Sequence, residues 1–109
     1  MPPTTMTKYR SLETLLLRLA APIETRRLAI SQRWRDDECA VGFYKPGEET
    51  LAAYVYIHGQ PQGRYGVHLE YPELDDNATA GVPTVAEDIG LSHLIDLLDM
   101  HFGLFGANR

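Results

Sequence analysis

The sequence predicts an α+β fold, a two-layer sandwich in which an antiparallel β-meander of three to four strands carries an N-terminal and a C-terminal helix on one face. Three observations lead there. Between Cys39 and Tyr71 the odd positions are mostly apolar (Val41, Phe43, Leu51, Ala53, Val55, Ile57, Val67, Leu69), while the even positions hold Tyr44, Tyr54, Tyr56, His58, Arg64, His68 and Glu70. Strand side chains alternate between faces, so this pattern describes a sheet with one buried face. Near each end an apolar stripe recurs at helical spacing: Leu12, Leu15, Leu16 and Leu19, then Leu91, Leu94, Ile95, Leu98 and Phe102. The odd-numbered sheet face is the one large surface on which both stripes can be buried.

Residues 1–6, with Pro2 and Pro3, are expected to be loose. The first helix runs from near Lys8 or Ser11 to Ala21, because Pro22 lacks an amide proton and disfavours helical geometry in the residue before it. Residues 23–35 are ambiguous. Leu28, Ile30 and Trp34 alternate with Arg27, Ala29, Arg33 and Arg35, which favours a strand, yet Ile23, Ile30 and Trp34 also share one face of a helix. The strand is preferred because Leu28 falls off that helical face.

Arg35-Asp36-Asp37-Glu38 is a polar turn into the strand Cys39–Lys45. A loop from Pro46 to Thr50 sets Lys45 opposite Leu51. The strand Leu51–Gln60 turns back at Pro61-Gln62-Gly63. That turn pairs Ile57 with Val67 and Val55 with Leu69 on one face, and Tyr56 with His68 and Tyr54 with Glu70 on the other. Residues 72–83 read as loop. Thr84 and Glu87 have the spacing of a capping box, which opens a C-terminal helix that Gly90 either flaws or divides. Gly103 supplies a left-handed stop, Leu104 packs back over the last turn, and residues 106–109 fray.

A chain of 109 residues suits a single domain, and its 44% apolar and 23% charged composition is that of an ordinary globular protein. The lone Cys39 rules out an internal disulfide and reads as a small buried hydrophobe. Glu13 and Arg18 interrupt the leucines near the start, so no export signal is recognisable, and no apolar run has the length of a membrane span. A soluble, cytoplasmic protein is the expectation. The net charge of −5 divides unevenly: residues 1–35 carry seven basic and two acidic residues, and residues 36–109 carry three basic and thirteen acidic ones. Mutual neutralisation within one fold is preferred over a basic patch, because an acidic protein repels nucleic acid at long range.

The even-numbered face is the candidate binding surface, formed by Tyr44, Tyr54, Tyr56, His58 and His68 with Arg33 beside it. Tyrosine and arginine are enriched where proteins touch, so the expectation is a non-enzymatic interaction protein that contacts a protein partner or a second copy of itself through this face or a sheet edge. Tyrosine is also common on the wet face of any antiparallel sheet, which is the plainer explanation of the same residues. The alternative is a small enzyme or ligand-binding domain using His58, His68 and Glu70 beside loop 72–83, which requires a pocket there. Stacking of single-stranded nucleic acid ranks behind both, since Glu70, Glu73, Asp75 and Asp76 lie where a basic surround is needed. No cofactor is expected and no metal: His93, Asp96 and Met100 share one side of the last helix but supply only two ligands. Gly59, Gly63 and Gly66 bracket a hairpin and open no helix, so they are not a nucleotide loop.

Overall fold

The computed structural model describes residues 10–34, 37–71 and 84–105. Its elements are α1 (Arg10–Arg18), α2 (Ala20–Glu24), β1 (Ala29–Ile30), β2 (Ala40–Lys45), β3 (Glu48–Tyr56), β4 (Tyr65–Glu70), β5 (Thr84–Ile89) and α3 (Leu91–Phe102). The strands make one antiparallel sheet in the order β1-β2-β3-β4-β5. The α+β meander with helices towards both ends is as the pattern predicts, with five strands in place of three to four. None of its helices is long and apolar enough to cross a membrane. The expected loose ends and the whole of loop 72–83 lie outside the described residues.

The core sits between the odd-numbered sheet face and the two longer helices. Leu12, Leu15 and Leu19 from the first stripe, and Leu94 and Leu98 from the last, are fully buried against Val41, Phe43, Val55 and Val67. Tyr65 ties the layers together, its hydroxyl donating to the Ser11 carbonyl at 2.8 Å. At the far end of α3, Gly103 adopts the left-handed conformation at φ 70° and Leu104 packs back into the core. The Asp99 carboxylate accepts from the amides of Leu104 and Phe105, both at 3.0 Å. Arg27 and Lys45 donate to the Leu104 and Phe102 carbonyls, which sets positive charge at the negative end of the helix.

Four expectations need correction. α1 ends at Arg18, and Pro22 lies in the first turn of α2. A proline ring clashes with the carbonyl four residues back, which here belongs to Arg18; in a first turn its missing N–H costs nothing. Residues 23–35 are neither one strand nor one helix. Residues 23–34 comprise the end of α2, the two-residue β1 and a turn that carries Trp34, and Arg35 lies outside the described residues.

From Ala40 to Tyr44 the β2–β3 register is the one that Lys45 opposite Leu51 implies, but the turn beyond it is tighter. Pro46-Gly47 closes a tight turn with Gly47 at φ 87°, Lys45 pairs with Glu48, and a bulge in β3 absorbs the next residues before Tyr44 meets Ala52. At the other hairpin Val55 pairs with Val67, Tyr54 with His68 and Tyr56 with Gly66. Two successive turns cause this shift: Gln60 N–H donates to the Ile57 carbonyl and Arg64 N–H to the Pro61 carbonyl, with Gly59 and Gly63 at φ 75° and 79°. The displacement is two residues, so every side chain keeps its face.

Finally, the capping-box residues Thr84 and Glu87 belong to β5, and α3 begins after Gly90. Pairing with β4 outweighs the local helix signal. A register shift opposite Gly66 lets Asp88 take φ 57°, a conformation that aspartate tolerates better than most residues.

His101 anchors α3 to the sheet. Its Nε2–H donates to the Ala52 carbonyl at 2.8 Å, because a carbonyl only accepts, and Nδ1 is then a buried lone pair without a hydrogen-bond partner among the described residues. Burial pushes its pKa below the usual imidazole range, against the opposing pull of the Ala52 and Glu70 backbone and the Glu70 charge. The folded state therefore binds fewer protons than the unfolded chain as imidazole titrates. Stability holds above a pH of about 6.5 and declines as the pH falls below it. Urea unfolding across this interval should show the decline, and His101→Gln should flatten it. Val55→Ala should cost about 1–3 kcal/mol in the same assay by opening the core.

Candidate contact surface

The face of the sheet away from the helices is an aromatic layer. Tyr54, Tyr56 and His58 follow one another along one side of β3 and its exit. Tyr54 and Tyr56 stack with ring centres 5.2 Å apart, and Tyr56 stacks on His58 at 4.8 Å. His68, opposite Tyr54 on β4, meets both tyrosines edge-on at 5.7 and 5.5 Å. Trp34 arrives from the turn after β1 and stacks on Tyr54 at 4.4 Å, and the Arg33 guanidinium carbon lies 4.4 Å from the Trp34 ring centre. Each aromatic pair contributes about 0.5–1.5 kcal/mol beyond simple burial.

Two glycines let the layer lie flat on the backbone. A Cβ at Gly42 would stand 2.4 Å from the Trp34 ring, and one at Gly66 would stand 2.3 Å from the Tyr56 ring. Each aromatic side chain thus occupies the volume that a side chain on the neighbouring strand would take. Ala40 and Gly42, on this face of β2, are buried as fully as their core-facing neighbours.

Hydrogen bonds fix the ring positions. The Tyr56 hydroxyl donates to Glu87 Oε2 on β5, and the Tyr54 hydroxyl and His58 Nε2 lie 3.0 Å apart. Burial, the Glu87 bond and the neighbouring charge push the Tyr56 pKa up to about 12. Burial, then the charges of Asp37 and Cys39, also raise that of Tyr54. A phenol with a raised pKa stays protonated at neutral pH and gives up its proton reluctantly, so these bonds position rings better than they move protons. Val85, 51% exposed, extends the face next to His68.

The structure thus brings together five of the six expected surface residues: Arg33, Tyr54, Tyr56, His58 and His68. It leaves Tyr44 apart, beside a groove of about 440 Å³ that Arg26 and Glu49 also border. The face is unevenly exposed. Tyr56 retains only 4% exposure, Tyr54 and His68 are half-buried, and His58 is open. Trp34, Gly42, Gly66, Val85 and Glu87 were not assigned here from the sequence. The interior glycines were the available signal, since a glycine inside a strand marks a close approach.

For the enzyme alternative, His58, His68 and Glu70 share no hydrogen bond among the described residues. Neither this groove nor a second one of about 580 Å³ borders either histidine. No group of three or more His, Cys, Asp or Glu side chains placed to hold a metal occurs among the described residues. Comparison of the chain with protein-family models, curated proteins and solved structures gives no match.

The two glycine contacts differ in how far the ring above can yield. Tyr56 is held on both sides and by Glu87, whereas Trp34 sits on a turn. Gly66→Ala should cost about 1–3 kcal/mol in urea unfolding, and Gly42→Ala clearly less. Equal costs would mean that Trp34 is held as firmly as Tyr56.

Proposed function

We propose that this chain is a non-enzymatic interaction protein whose contact surface is the aromatic sheet face, and that its partner there is a second copy of itself. The observation that carries the reading is the preorganised stack from Arg33 through Trp34, Tyr54 and Tyr56 to His58. Rings already held by stacking and hydrogen bonds lose little freedom on docking, so more of their contact energy appears as affinity. Tryptophan, tyrosine and arginine are the residues that most often dominate such contacts.

Charge argues for self-association. Arg33 lies at the β1–β2 margin of the face and Glu87 at the β5 margin. A two-fold axis parallel to the strands would lay the β1 margin of one copy over the β5 margin of the other, so the contact between Arg33 and the partner's acidic edge would occur twice per dimer. Glu87 uses one carboxylate oxygen for Tyr56, and the second can accept a guanidinium. Apolar Val85 would then be covered.

Sedimentation equilibrium over a concentration series tests this. The chain should dimerise; Val85→Lys should weaken the dimer roughly tenfold or more with thermal stability nearly kept, and Trp34→Ala should weaken it as much while costing the fold about 0.5–1.5 kcal/mol from the lost Tyr54 stack. Arg33→Glu and Glu87→Arg should each weaken it, and the double variant should restore part of the loss. A monomer at every concentration, or a dimer indifferent to Trp34 and Val85, would contradict the proposal; binding of a different protein to this face with no dimer would leave the surface but overturn the partner.

A further inference from the structure

The larger groove, of about 580 Å³, lies on the helix side of the sheet and is independent of the aromatic face. It runs between the start of α1, the β3–β4 connection and Leu91, the first residue of α3. Its size is that of a small-molecule site. Ile57, Pro61, Tyr65 and Leu91 give it apolar walls, and Arg10 and Arg64 bring two guanidinium groups to it. Among the described residues no acidic side chain lines it, although the chain as a whole carries a net charge of −5. The smaller groove, by contrast, balances Arg26 with Glu49.

We propose that this groove binds a small organic carboxylate with an apolar body. The Arg10 side chain has no hydrogen-bond or ion-pair partner among the described residues, and its charge is available to a ligand. Arg64 is partly committed: its Nε lies 3.5 Å from Asp88 Oδ1 and its Nη1 donates to the Asp88 carbonyl at 3.3 Å. Those contacts fix the guanidinium in place, and its remaining N–H groups are left to donate. Ser11 and Gln62 add hydroxyl and amide groups at the rim. A guanidinium recognises a carboxylate through paired N–H bonds, and the apolar walls bury the body that follows the head group.

Titration of the full chain with octanoate, followed by proton–nitrogen correlation spectra, tests the site. Octanoate should shift the amides of Ser11, Thr14, Gln62, Gly63 and Leu91. Octanol, which lacks the charge, and inorganic phosphate, which lacks the apolar body, should each bind about tenfold more weakly. Arg10→Gln and Arg64→Gln should weaken octanoate about tenfold and leave octanol unchanged. Octanol binding as well as octanoate would overturn the anion recognition, and phosphate binding as well would overturn the apolar half. No octanoate shifts at these amides would overturn the site. Arg10→Gln lies on an exposed first turn, so a folded variant is available whatever Arg64→Gln does to the Asp88 contact.

Discussion

The parity of β3 governs this molecule. Val55 faces the helices and is fully buried, while Tyr54 and Tyr56 on either side of it face the opposite way. Because strand side chains alternate, one nine-residue strand supplies both the centre of the core and the centre of the aromatic layer. A slip of one residue would put tyrosine hydroxyls under the leucines and valines into water, so one register sets the core and the aromatic face together. The bulge after Glu48 and the double turn after Tyr56 absorb length at both ends without changing that parity.

The aromatic layer is a second packed layer of unusual thinness. It is built from single side chains lying on backbone, with Gly42 and Gly66 as its floor and His68 and Glu87 as lateral supports. Such a layer buries part of the sheet in the isolated chain and still leaves His58 and Val85 open. It thus lies between a core and a wet surface, the character of contact faces whose rings are ordered before a partner arrives. The same sheet carries a different chemistry on its helix side, where arginines and an apolar groove meet. One small fold thereby separates a flat aromatic surface from a concave basic one.

Much of the fold was legible because period two and period 3.6 are strong signals. The core-facing residues Val41, Phe43, Val55 and Val67, both leucine stripes and the Gly103 stop follow from spacing alone. The strand β5 was not legible, since Thr84 and Glu87 mimic a helix start and only pairing with β4 overrides it. The β2–β3 register follows from the Lys45–Leu51 alignment in all pairs but the last, whereas the β3–β4 register differs by two residues, because Gly59 and Gly63 both close turns and sequence does not say that both do. Of the surface, Tyr54, Tyr56, His58, His68 and Arg33 were visible by parity. Trp34 was not: an alternating reading of residues 28–34 assigned it to the core side, whereas the chain turns after two paired residues and delivers it to the opposite face. Tyr44 failed for a related reason, because sharing a face does not guarantee sharing a cluster.

Trp34 is the only tryptophan, and it sits on the layer the account depends on. Acrylamide quenching of its fluorescence, measured against protein concentration, therefore reports on that face alone. The indole should be partly quenchable in dilute solution and become protected as copies associate. An indole equally quenchable at every concentration, while sedimentation shows a dimer forming, would place the contact elsewhere and contradict it.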